Sequence, residues 1–206
     1  MNDDSQDRIL VSVIIKTLNE AENIARSIES ALAATRGYPA EVIVADSLST
    51  DATVTIAKRY PVRVVQLTDP TDRSCGVGAQ LGWQYARGEY VYILDGDMAL
   101  DPGFVTAGLA AFAAAPRLAG VAGQMIEESD AAEYQLRKLQ QDPSFRPGPV
   151  DRLNSGGMYR RTALEDVGYF TDRNLHSFEE LELGLRLGAR GWQLERLAVP
   201  GCWHRG

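Results

Sequence analysis

Cysteine is scarce in this chain of 206 residues: Cys75 and Cys202 are the two present, and they have no paired spacing. That excludes a disulfide framework and a cysteine-rich zinc site, and it fits a reducing, cytoplasmic compartment. Basic charge is in deficit, with 21 Lys and Arg against 28 Asp and Glu and a formal net charge of -7. A general nucleic-acid binder carries a basic footprint, so that function class is excluded. An acidic site that recruits a metal ion remains open. Long apolar runs are missing too. The most apolar stretch, Leu109 to Gly123, is interrupted by Pro116 and Arg117 and is too short to span a bilayer, so no transmembrane segment is expected. The opening MNDDSQDR lacks a basic region followed by an apolar one, so no signal peptide is expected. Internal repeats and low-complexity tracts are absent. What is there is a chain 45% hydrophobic, enough for one domain with a sizeable core.

The first half alternates between two periodicities. Ile9 to Ile15, Glu41 to Ala45, Val62 to Leu67 and Glu89 to Leu94 read as strands. Between them come helices: one with Asn19 as N-cap, Glu22 as capping-box partner and an apolar face of Ile24, Ile28, Ala31 and Leu32; one over about Ala52 to Arg59; one over about Ala79 to Ala86. Strand and helix in alternation predict right-handed crossovers and a mainly parallel sheet covered on both faces. Ligands of such sheets bind beyond the carboxyl ends of the strands. The polar loops Lys16 to Asn19, Asp46 to Asp51 and Asp95 to Asp97 all follow strands, which puts them along one rim.

The second half is less regular. Asp101-Pro102 reads as an N-cap with proline at the first helical position, opening an Ala-rich helix that ends near Pro116. Ala119 to Gln124 reads as a strand and Glu128 to Gln141 as a helix. Asp142 to Val150, with three prolines and a glycine, reads as irregular, a loop over the site or a plain connector. Gly156-Gly157 would let backbone approach a ligand closely, or would make a bulge or tight turn. Ser177 to Gly191 reads as a helix with Phe178, Leu181 and Leu185 inward, and Trp192 to Val199 as a last strand.

The chemistry centres on GEYVYILDGD, Gly88 to Asp97. Its strand runs into Asp95 and Asp97, which on an extended chain point the same way. Two carboxylates aimed at one spot repel unless something positive sits there, and a hard divalent cation that also holds phosphate oxygens would serve.

Four segments, in this order, carry a resemblance: VSVIIKTLNEAENI, DSLSTDAT, ARGEYVYILDGD and EELELGLRLGARGW. Together they resemble the family 2 glycosyltransferases, which have the GT-A fold, over nearly the whole chain. The resemblance implies an α/β, Rossmann-like, mostly parallel sheet flanked by helices, with a less regular acceptor-side second half. It also implies one catalytic domain over residues 1–206, with about 1–98 binding the nucleotide sugar and about 99–206 the acceptor. The implied reaction is inverting transfer of a sugar from a UDP, GDP or dTDP sugar to a hydroxyl acceptor, saccharide, small molecule or lipid-linked at the inner face of a membrane. Mn2+ or Mg2+ is the implied cofactor.

Carried over position by position, Thr17, Asn19 and Glu20 match the loop that holds the nucleotide. Asp46 and Ser47 stand where paired aspartates contact base and ribose, and Arg73 and Gly78 lie in the loop beside the nucleotide. Asp95 and Asp97 match the acidic metal- and nucleotide-binding motif. Glu180 matches the catalytic carboxylate, with Glu179 and Glu182 as alternatives, and His204 matches a metal ligand. The chain departs from the family pattern at Lys16, where proline is usual; at Ser47, for aspartate; at Leu48, for glycine; and at Glu179-Glu180, for Glu-Asp.

The residues themselves suggest how such a reaction would run. A cation on Asp97, with Asp95 helping, would stabilise the diphosphate leaving group. Arg160 or Arg161 could add positive charge there, or be solvated surface arginines. A carboxylate such as Glu180 would take the acceptor proton. His176 is a candidate for contact with acceptor or phosphate; Trp192 and Trp203 are candidates for sugar stacking, Trp192 more readily as core. Two other readings remain. One is a sugar-nucleotide nucleotidyltransferase, although the glycine-rich basic loop such enzymes carry after the first strand is missing from IIKTLNEAENI. The other is a catalytically silent GT-A-like binding domain.

Overall fold

β-Branched and aliphatic residues dominate the segments that form the central sheet, as expected where both faces are covered. The computed structural model describes residues 8–74, 76–128, 146–154, 156–172 and 178–205. Strands β1 (Val11–Thr17), β2 (Ala40–Asp46), β3 (Arg63–Gln66) and β4 (Tyr90–Asp95) run parallel in the order β3-β2-β1-β4. Helices α1 (Ile24–Ala34), α2 (Thr53–Ala57) and α3 (Val77–Tyr85) make the connections, with a single 3-10 turn over Pro70–Asp72 before α3.

Beyond β4 the sheet is mixed. β5 (Met98–Leu100) leads to α4 (Phe104–Ala114) and the long β6 (Leu118–Glu127). Then come β7 (Gly148–Val150), β8 (Gly157–Arg160), α5 (Arg161–Asp166), α6 (Glu179–Ala189) and β9 (Gln193–His204). β8 lies antiparallel between β4 and β6; β9 runs parallel to β6 and pairs antiparallel with β5 and β7. The α/β architecture expected from the sequence, a sheet flanked by helices, is present, parallel in its first half and mixed in its second.

Alternation along β1 divides the core. Val11, Val13 and Ile15 face α1 and α4, packing with Ile24, Ile28, Phe104 and Phe112. Ile14 faces α3, α5 and α6, packing with Ala79, Leu164, Leu183 and Leu187. Lys16, two residues beyond Ile14, therefore emerges on the second face at the carboxyl end of the strand. No helix among the described residues is long and apolar enough to cross a membrane.

Several expectations are corrected. Asn19 is not the cap of α1: it sits at φ 58° and its side-chain oxygen accepts the Thr50 amide, so α1 begins after a turn at Asn23. Asp101 does not cap α4 directly; its carboxylate accepts the Gly103 amide in a turn ahead of the helix, which starts at Phe104. Gly148–Val150 is not irregular, because β9 offers an open edge to pair with. The buried face of α6 is Leu183, Gly184 and Leu187 with Glu179, while Phe178 and Leu185 are exposed. The last strand does not stop at Val199: Pro200 falls at a register shift opposite Gln124, where its missing N–H costs no ladder bond, and β9 continues to His204. β5, β8 and α5 were not foreseen. The helix expected over Glu128 to Gln141, the segment 142–145 and His176 lie outside the described residues apart from Glu128 itself.

Candidate active site

The carboxyl ends of β1, β2 and β4 open into a cleft lined by Lys16, Thr17, Leu18, Glu20, Ser47, Arg73, Ser74, Gly78, Asp95, Gly96 and Asp97. The three polar loops do share one rim. Asn19 and Glu20 belong to a tightly tied loop. The Asn19 amide donates to Ser49 Oγ at 2.8 Å, and the Glu20 amide donates to Thr53 Oγ1 at 2.8 Å. Burial is the main cause that holds the Glu20 carboxyl above its ordinary range, against the lowering effect of the Asn23 amide.

Asp46 is fully buried, and its carboxylate is spent inside the protein: it accepts the Ser49 amide and hydroxyl and Gln66 Nε2. Arg73 donates to the carbonyls of Ser47, at 2.9 Å, and Leu48, at 2.6 Å. These contacts hold Leu48 at φ 63°. That left-handed conformation costs a residue with a Cβ roughly 1–2 kcal/mol. Asp46 and Arg73 thus shape the loop whose Ser47 faces the cleft.

The acidic pair does not aim at one spot. β4 ends at Asp95, and Gly96-Asp97 turns away, so each carboxylate meets its own partner. Asp95 Oδ1 lies 3.0 Å from Lys16 Nζ. Burial would by itself depress the Lys16 pKa, but Asp95 first, then Glu180 and Glu179, raise it above its ordinary value. Asp97 Oδ2 lies 3.2 Å from His204 Nε2. The other ring nitrogen, His204 Nδ1, lies 2.8 Å from Glu127 Oε2. The bond to Asp97, against burial and with help from Glu127, lifts the His204 pKa to about 9. Burial works to raise the Asp97 pKa, but the bond and charge of His204 outweigh it and bring that carboxyl below its ordinary value.

The register explains the meeting of Asp97 and His204. β5 begins at Met98, directly after Asp97, and Met98 pairs with His204. Sequence reading did not foresee β5 or Glu127; the short apolar run Met98–Leu100 after the acidic turn was the available signal.

These residues fit a divalent cation. Asp97 Oδ1 is buried without a hydrogen-bond partner, and an imidazole backed by a carboxylate is the usual form of a metal-ligating histidine. Among the described residues, no group of three His, Cys, Asp or Glu forms a ready-made cage. Mg2+-type sites are commonly completed by phosphate oxygens and water.

A narrower pocket adjoins the cleft through Lys16 and Asp95, and is lined by Ile93, Leu153, Gly156, Gly157, Tyr159, Phe170, Glu179 and Glu180. Three acids stand in the first turn of α6, where the helix dipole favours them. Glu182 is taken up by a two-pronged pair with Arg186. Glu179 is buried, 3.6 Å from Lys16. The Glu180 carboxyl is raised above its ordinary range, by burial first, against Lys16 and with Glu179 adding to the rise. Gly156, at φ 90°, has no room for a Cβ, which would fall 2.8 Å from Tyr92 Oη.

The two arginines after this glycine pair are neither near the acids nor solvated. Arg160 and Arg161 lie at the far end of β4, where Tyr90 pairs with Arg160. Arg160 donates to the carbonyls of Leu118 and Phe112; Arg161 donates to those of Gly88, at 2.6 Å, and Ala86, at 2.7 Å. Trp192 Nε1 donates to Asp166 beneath Arg117, and Trp203 Nε1 to Asp101; neither lines the cleft or the narrower pocket. Arg196, also unforeseen, is almost wholly buried on β9 and donates to the Gly123 carbonyl.

Comparison with known proteins adds to this geometry. Residues 12–168 match the sequence model described as Glycosyl transferase family 2. An N-acetylglucosaminyl-diphospho-decaprenol L-rhamnosyltransferase of Mycobacterium tuberculosis is 28% identical over 228 residues, covering 89% of this chain and 72% of that protein. The crystal structure of S. aureus TarS 1-349 in complex with UDP-GlcNAc is similar with a TM-score of 0.75 at 22% identity, over 96% of this chain and 59% of that one. The mannosyltransferase PcManGT from Pyrobaculum calidifontis, in complex with GDP-Man and Mn2+, gives 0.73 at 21% identity, over 96% and 57%. At such identities the likeness is one of fold. Mycobacterial relatives 34% identical over 91 residues are matched across 26% of their own length.

Proposed function

The chain belongs to glycosyl transferase family 2, and on that premise we propose that it transfers a sugar, with inversion, from a nucleoside-diphosphate sugar to a hydroxyl acceptor. The observation that carries the reading is the pairing of Asp97 with His204 at the edge of the cleft, one turn from Asp95, with Glu180 in the adjoining pocket. In this reading residues 1–98 serve the donor and the rest of the chain serves the acceptor.

Thr17, Asn19, Glu20 and Ser47 hold the nucleoside, with Asp46 and Arg73 keeping their loop in shape. Gly78 leaves the cleft wall low beside it. Asp97 and His204 hold Mn2+ or Mg2+, which, when bound, supplies Lewis-acid stabilisation to the departing diphosphate. Glu180 accepts the proton of the acceptor hydroxyl as its oxygen bonds to the anomeric carbon. Gly156 and Gly157 let backbone border the sugar. Attack from the side opposite the diphosphate inverts the anomeric centre. The raised pKa of Glu180 makes it a stronger base than a solvated carboxylate once it is ionised. Glu182, paired with Arg186, is a poorer candidate.

The names of the relatives support the finer choices. UDP and GDP sugars are bound by the structural neighbours, one of them with Mn2+. The rhamnosyltransferase acts on a decaprenol-linked sugar, which favours a lipid-linked acceptor at a membrane surface, on the cytoplasmic side, in polysaccharide or glycolipid synthesis.

Thermal stabilisation by UDP, GDP and dTDP, with and without Mn2+, tests the donor side. Failure of every nucleotide to shift the melting temperature in either condition removes the reading. Nucleotide binding without transfer to any hydroxyl acceptor would favour the silent domain instead.

A further inference from the structure

Lys16 is the basic group between the cleft and the pocket of Glu180, and the reaction just described does not use it. Its position is enforced from several sides. In the β1–β4 ladder it stands directly beside Asp95, on the face that carries Ile14 and Ile93. Its stem runs past α3 at Gly78, where a Cβ would fall 2.9 Å from Lys16 Cβ. The ammonium ends 3.0 Å from Asp95 and 3.6 Å from Glu179, with the side chain only 18% exposed. It borders both the donor cleft and the pocket of Glu180.

We infer that Lys16 is a built-in counter-ion that withholds Asp95 from the divalent cation and so sets the protein's own metal affinity. The inference rests on the reading of Asp97 and His204 as the cation's ligands. An ammonium has three donors and no lone pair, so it cannot itself coordinate a metal. Held against Asp95, it neutralises that carboxylate and repels any second cation that approaches it. Asp97 differs: one oxygen meets His204 and the other, Oδ1, is buried and unpartnered. Cation binding thus falls to Asp97 and His204, and in the free protein it is weak. The shortfall is made good by the phosphates of the nucleotide, so cation and donor bind together.

The test is Mn2+ binding to the purified chain without nucleotide, followed by the electron paramagnetic resonance signal of free Mn2+. Lys16→Met is expected to bind Mn2+ about tenfold more tightly than wild type, the scale of one near-surface unit charge. Lys16→Arg, which keeps the charge, is expected to bind as wild type. The double variant Lys16→Met with Asp95→Asn is expected to lose the gain, because Asp95 supplies it. Unchanged or weaker Mn2+ binding by a folded Lys16→Met protein overturns the inference. Should that variant not fold, Lys16→Gln, which also removes the charge, decides in its place. Tighter binding by that protein supports the inference, and unchanged or weaker binding overturns it. Asp97→Asn separates the two readings. If it leaves Mn2+ binding intact, the proposed cation site is wrong, whatever Lys16 does.

Discussion

His204 Nε2 lies 3.2 Å from Asp97 Oδ2, although 107 positions of chain separate the two residues. The contact exists because β9 passes Pro200 at an irregularity and then pairs with β5, the strand that begins one residue after Asp97. It joins the end of the last strand to the acidic turn at the centre of the sheet, and it has consequences for pH dependence.

The His204 pKa, raised to about 9 from an ordinary 6.5, means that the folded state holds this proton more tightly than the unfolded chain does. Its contribution is fully present below 6.5 and is lost as pH rises through about 9. In EDTA, the melting temperature should fall across that window by a few degrees, on the order of 1 kcal/mol. Asp97→Asn should flatten the fall. A wild-type melting temperature constant over the same range would show that the pair contributes nothing.

Glu180→Gln should lower transfer by roughly 100-fold to 10,000-fold while UDP or GDP binding persists. The wild-type rate should rise with pH along an acid limb lying above 4.5, because burial holds the Glu180 carboxyl above that value and only its ionised form can take a proton. Full turnover by the glutamine variant would transfer the role to Glu179.

Gly184→Ala should loosen α6. A Cβ there would fall 1.9 Å from the Asp151 carbonyl oxygen, backbone that cannot yield cheaply. A loss of about 1–3 kcal/mol is expected, with a larger fall in turnover than in nucleotide affinity because α6 carries Glu180 and supplies no lining residue of the cleft. Chemical denaturation beside nucleotide titration would check both.

Arg161→Met should cost about 2 kcal/mol, by removing two charge-assisted bonds to the Gly88 and Ala86 carbonyls and its stacking on Trp83. Nucleotide binding should be unchanged, since this side chain lies at the opposite end of β4 from Asp95. A selective loss of nucleotide affinity would restore the arginine to the donor site.

The succession of β1 to β4 along the chain, their parallel pairing and the convergence of their loops could be read from the alternation of apolar and polar segments. Asp95 and Asp97 stood out as candidate site residues at the end of a strand, whereas Glu180 was a candidate through the family resemblance alone. Glu127 was not, because nothing near it in the chain marks a carboxylate that sits behind a histidine. Nor was the true inward face of α6: Leu181, Leu183, Leu185 and Leu187 lie along a helix with apolar residues on more than one side, so periodicity could not choose between them. The internal partners of Asp46 were hidden for a related reason. A buried carboxylate satisfied by Ser49 and Gln66 looks, in sequence, like one waiting for a ligand.

By itself the sequence determined what depends on neighbours along the chain: which segments extend, which coil, and which strand ends carry acid. Only the tertiary structure decided the partners of those acids. Lys16 meets Asp95 through strand register, and His204 meets Asp97 through a pairing across the far edge of the sheet. Charge pairing depends on distance in space, to which spacing in sequence is no guide once a chain has crossed the sheet and returned.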